Sequence, residues 1–124
     1  MSSSQSVRVI KLPADRRYWN QHILKVRAIL STNNFSATVR KPHPHDETRD
    51  EKVDVTTDFI FDYKSRPSWI SRSIWKQVSR YVYATFLLGI PDELKYLMAD
   101  VPPGDGSAAI SSLRQNIGTV SQQK

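Results

Sequence analysis

Residues 40–67 read RKPHPHDETRDEKVDVTTDFIFDYKSRP, and the fold class of the chain turns on them. Two prolines come early, acids crowd the middle, and Val53, Val55, Phe59, Phe61 and Tyr63 fall on alternate positions. Period two is the spacing of an extended segment with one buried face, because successive side chains of a strand point to opposite sides. Two readings stand open here. The segment is a short strand that finds a partner, or a long acidic loop that drapes its aromatic side chains over helices.

On both sides the pattern is helical. Upstream, Asp15 has the form of a cap before RRYWNQHILKVRAIL, where Trp19, Ile23, Val26, Ile29 and Leu30 recur at helical spacing, with Arg16, Arg17, Lys25 and Arg27 mostly off that stripe. This helix ends near Asn33-Asn34. Before it, Val7 to Leu12 form an apolar run stopped by Pro13, an extended arm or strand, and MSSSQS reads as a disordered tail. Downstream, Pro67 or Ser68 opens a second long helix in which Ile70, Ile74, Val78, Val82 and Phe86 share a face. Gly89 closes it, Pro91 or Asp92 starts the short helix DELKYLMA, PPGDG forces a turn, and Asp105 or Ser107 caps a last helix that ends at Gly118.

The expected fold class is therefore all-α. It is a compact bundle of about four to five helices with an extended amino-terminal arm and a long acidic loop or short strand between the first two main helices. The expected organisation is a tail at 1–6, one helical domain at 7–118 and a flexible tail at 119–124. Trp19, Ile23, Val78, Val82, Leu94, Ile110, Leu113 and Ile117 are its expected core.

Charge divides the chain into three. Residues 1–41 carry eight Lys or Arg against Asp15 alone, 42–63 carry two bases against seven acids, and 64–124 carry eight bases against four acids, for a net charge of +6. Such polarity either steers a polyanion to the basic parts or lets a basic face of one copy meet the acidic segment of another. The sequence lacks cysteine, which removes disulfides, thiol nucleophiles and cysteine-based zinc sites. No apolar run reaches the length of a membrane span, and the first residues lack the apolar core of a signal peptide, so a cytoplasmic protein without membrane partners is expected.

The catalytic inventory is short. His43, His45 and Asp46 lack a further ligand at recognisable spacing, and His22 sits within a helix as a packing or surface residue. Asp92 and Glu93 occupy a first helical turn, where the dipole favours acids. Gly104-Asp105-Gly106-Ser107 lacks the lysine and spacing of a phosphate loop. Neither an enzyme nor a cofactor is expected.

The order of elements resembles the amino-terminal part of the capsid region of Gag in Ty1/copia-type retrotransposons. Trp19, Val26, Ala28, Ile29 and Leu30 follow the first helix of that pattern, and VSRYVYATFLLGIPDELKYLM is similar to its third. Ala109, Ile110, Leu113, Ile117 and Gly118 fall in register with the last, with Ile110 where the family commonly has tryptophan and His22 where its first helix does. The resemblance covers 7–118 and consists of packing residues. It implies a capsid-type domain, excised from a longer Gag or stand-alone, that self-assembles into a virus-like particle. Under that reading Arg16, Arg17, Arg72, Lys76 and Arg80 are the candidate association residues, with Asp46, Glu47, Asp50 and Glu51 as their partners on another copy. The alternative is a small basic RNA- or DNA-binding module, in which the same cations with Lys25 and Arg27 contact phosphates and Trp75 or Tyr83 stacks on bases. A Gag-derived inhibitor of assembly shares every residue with the first reading.

Overall fold

The computed structural model describes residues 10–63 and 65–122, with side chains throughout except at 34–36 and 117–122. The tail expected at 1–6, the first residues of the arm, residues 123–124 and the Ile117 side chain lie outside the described residues. Along the chain run a 3-10 turn at Arg16–Tyr18, α1 (Trp19–Leu30), β1 (Asn34–Lys41), β2 (Glu51–Thr56), the short α2 (Phe59–Asp62), α3 (Arg72–Gly89), a 3-10 segment at Asp92–Met98 and α4 (Gly106–Gln122).

The fold is mixed, which corrects the all-α expectation. β1 and β2 pair antiparallel, with Val39 opposite Val53 and Lys41 opposite Glu51. Residues 53 and 55 are extended, but the strand stops at Thr56. Thr57 is the reason. Its backbone N–H still donates across the ribbon to Asn33 O at 3.1 Å, but its hydroxyl donates to Leu30 O at 2.7 Å, so this buried residue commits its side chain to the carboxyl end of α1 and the pairing goes no further. Phe59 and Phe61 consequently lie on α2, not on a strand.

At its turn end the ribbon meets an aromatic cluster through Lys41. Trp69 meets Tyr63 and Phe59 edge-on at 5.8 and 6.4 Å between ring centroids, and Lys41 Nζ lies 5.7 Å from the Trp69 centroid. Asp50 closes the turn by accepting from His43 N–H and pairing with Arg40.

The core lies between α1, α3 and α4. Trp19, Ile23, Val26 and Leu30 of α1 pack with Val78, Val82 and Phe86 of α3 and with Ala109, Ile110 and Leu113 of α4, all buried. The Trp19 indole N–H donates to Pro13 O at 2.6 Å, so the largest core side chain buries no unpaired donor. Leu94 is only partly buried and packs against the edge of this cluster. α3 begins later than its prolines implied, at Arg72, because the Ser71 side chain accepts from Ile74 N–H. α4 is capped by Asp105, whose carboxylate accepts from Ala108 N–H at 3.0 Å, and its backbone continues past Gly118. The arm docks on α3: Leu12 N–H donates to Gly89 O at 2.7 Å, and Leu12 is buried.

Candidate functional site

Two surfaces concentrate the residues that could act on a partner. The first is built by α3 and the turn before α4. Arg72, Lys76 and Arg80 stand at i, i+4 and i+8, so one face of α3 carries all three, exposed. Like charges at this spacing oppose the helix by about 0.2–0.5 kcal/mol per pair. Among the described residues no carboxylate comes within ion-pair distance of any of them.

These side chains line a groove of about 700 Å³, together with Arg66 and half-buried Trp75 on one side and Pro102 and Pro103 on the other. Ser79 fixes the far wall. Its hydroxyl donates to Gly104 O at 2.8 Å and accepts from Gly106 N–H at 2.9 Å, tying the turn to the middle of α3. Gly104 needs its positive φ of 84° for that turn. At Gly106 a Cβ would stand 2.7 Å from Ser79 O and 2.9 Å from Val82 Cβ, so the start of α4 lies directly on α3. Arg66 is aimed by a 2.6 Å hydrogen bond from Nη1 to Ile70 O. One acid, Asp105, lines the groove, and its carboxylate is the cap of α4.

The second surface surrounds the turn before α1. Arg16 Nη2 donates to the Tyr96 hydroxyl at 2.8 Å, which joins the 3-10 segment after α3 to the start of α1. Arg17 grips Asp15 through both carboxylate oxygens and lies 5.9 Å from the Tyr18 ring centroid. Those hydrogen bonds hold the Asp15 carboxyl below its ordinary pKa and push the Arg17 guanidinium up, so both stay charged and nearly cancel. Tyr18 and Tyr96 are 53% and 62% exposed, large aromatic faces beside two arginines.

The candidate association residues thus divide between two surfaces. The acids divide as well. Asp50 pairs with Arg40 at 3.0 Å, and Asp46 pairs with Arg49 at 3.5 Å while capping Thr48, whose hydroxyl and N–H depress its pKa. Glu47 and Glu51 are exposed, and neither has an ion-pair partner among the described residues. Arg27 pairs with Asp58 and Asp62 and lies over Phe61, where it ties α1 to α2. Tyr83 packs against the core outside the groove, and Lys25 is exposed on α1. Arg66, the two prolines and Tyr96 had no signal in the sequence, because the packing of distant segments brings them to their sites.

Among the described residues no group of three His, Asp or Glu could hold a metal, and no helix is long and apolar enough to cross a membrane. The His22 Nε2 is buried without a hydrogen-bond partner among the described residues, and burial, with the nearby Lys25 charge, keeps its pKa below the ordinary value. No protein-family model, curated protein or solved structure matches the chain.

Proposed function

We propose that this chain is a non-catalytic assembly domain of the Ty1/copia Gag kind, which joins copies of itself through the surface around Arg16, Arg17, Tyr18 and Tyr96. The composition of that surface carries the reading. Tyrosine and arginine are the residues most enriched where protein contacts are strongest, since they offer large rigid area with a polar end. Here Arg17 is paired with Asp15 before any partner arrives and Arg16 is held by the Tyr96 hydroxyl, so both guanidinium groups are ordered before docking. The order of helices and the spacing of their packing residues support the family resemblance, and the β1–β2 ribbon falls in the stretch where the family pattern is variable. A shell subunit needs a rigid body and weak repeated contacts, with a patch on one copy meeting a different patch on the next.

Multi-angle light scattering over a concentration series tests the proposal. The unmodified protein is expected to rise above monomer mass, and a variant carrying Tyr18→Ser and Tyr96→Ser to remain monomeric with unchanged circular dichroism. A chain that stays monomeric at every concentration would remove the proposal.

A further inference from the structure

We infer that the groove between α3 and the Pro102–Pro103 turn binds single-stranded nucleic acid, with phosphates along Arg72, Lys76 and Arg80 and one base stacked on Trp75. This site shares no residue with the assembly surface, and its fate is independent of that reading.

Four observations converge on it. The three cations span about 12 Å of helix axis, enough to follow roughly three consecutive phosphates of a strand. Their charges have no carboxylate partner among the described residues, so a polyanion displaces no ion pair to reach them. Arg66 is held at one end of the row by Ile70 O, which orders its guanidinium in advance. Trp75 stands among the cations with part of its ring exposed in a groove of about 700 Å³, large enough for a base and its sugar.

The combination of a cationic track with an aromatic platform separates a nucleic acid from other anions. A strand offers a π-face for each charge it carries, at a fixed spacing, whereas the carboxylates of an acidic peptide bring no π-face of their own. A duplex keeps its bases stacked on each other, so it can use the cations but not the tryptophan. The acid-rich hairpin of a second copy is the weaker occupant, because Asp46 and Asp50 already have partners in their own hairpin, and the carboxylates left at Glu47 and Glu51 have no use for Trp75.

The test is fluorescence anisotropy of end-labelled single-stranded oligonucleotides, RNA and DNA in parallel, titrated with the full chain over a salt series. Binding is expected at low salt, with a slope of log affinity against log salt near −0.7 for each phosphate neutralised, so about −2 or steeper for three or more. Reversing Arg72, Lys76 and Arg80 to glutamate is expected to abolish binding with the melting curve unchanged. Trp75→Ala is expected to weaken single-strand binding about tenfold or more while leaving the salt slope and the weaker duplex binding in place. The inference is overturned if the unmodified protein binds neither oligonucleotide, or if the charge-reversed variant binds as tightly. It is overturned equally if a polyphosphate chain binds as well as RNA and Trp75→Ala has no effect, which would mark a general anion site. Loss of self-association in the charge-reversed variant, with no oligonucleotide binding by the unmodified protein, would assign the groove to another copy.

Discussion

Replacing Gly89 by alanine tests the docking of the amino-terminal arm, because the sign of its effect depends on whether the arm is in place. Gly89 ends α3 with a negative φ, so the backbone itself accepts a side chain. Judged on the helix alone, alanine would stabilise the protein by up to about 1 kcal/mol. A Cβ there, however, would overlap the carbonyl oxygen of Ile10 and stand 3.1 Å from its carbonyl carbon. Both are backbone atoms of the arm. The arm must lift, which breaks the Leu12 N–H bond to Gly89 O and returns the 4% exposed Leu12 side chain to water. The hydrogen bond contributes about 0.5–1.5 kcal/mol and the leucine about 1.5–3 kcal/mol. Set against the helical gain, the net loss is roughly 1–3 kcal/mol. Urea unfolding followed by tryptophan fluorescence, with the slope unchanged and the midpoint lowered, is the expected result. A variant as stable as the unmodified protein, or more so, would mean that the arm does not rest on α3.

Other substitutions probe other joints of the fold. Leu113→Ala removes a fully buried side chain between α4 and the α1–α3 face and is expected to cost about 2–5 kcal/mol in the same assay. Thr57→Val keeps the shape and removes the side-chain donor of Leu30 O, which keeps the Asn33 N–H as its partner, so a loss of about 0.5–1.5 kcal/mol is expected, with amide exchange faster in the last turn of α1. His22 gives a pH dependence. Its folded pKa is depressed below 6.5, so the unfolded chain takes up the proton first, and stability present above pH 6.5 is lost as the pH falls through 6.5 toward the folded value. His22→Leu should flatten that part of the thermal-stability profile, measured by calorimetry from pH 7.5 to 5.5, and an unchanged profile would assign the dependence elsewhere.

What the sequence revealed, and what it did not, follows from the range of the interactions involved. Helical spacing is local, so the core faces of α1, α3 and α4 could be read from Trp19, Val78, Val82 and Leu113 without knowing what they met. The alternation at Val53 and Val55 is equally local. It continues in the letters through Phe59, Phe61 and Tyr63, although the chain turns at Thr57 to answer a carbonyl on α1, a contact across 27 positions. The partner strand had a signal in Phe35, Ala37 and Val39, also on alternate positions, but Ser36, Thr38 and the cations after them diluted it. For the groove, the row Arg72, Lys76 and Arg80 was legible because it lies on one helix. Its opposite wall depends on Ser79 reaching Gly104, 25 positions away. Arg27 showed the converse. A cation that looked free in sequence meets Asp58 and Asp62 once the chain has folded.

The measurement that bears most directly on the assembly reading is sedimentation velocity of three proteins side by side over one concentration range. They are the unmodified chain, the Tyr18→Ser and Tyr96→Ser variant, and the chain with Arg72, Lys76 and Arg80 reversed to glutamate. Association is expected to persist in the charge-reversed protein and to vanish in the tyrosine variant, because copies meet at the surface around Arg16 and Tyr96. Association that survives loss of both tyrosines, or sedimentation of the unmodified chain as a monomer throughout, would contradict the account.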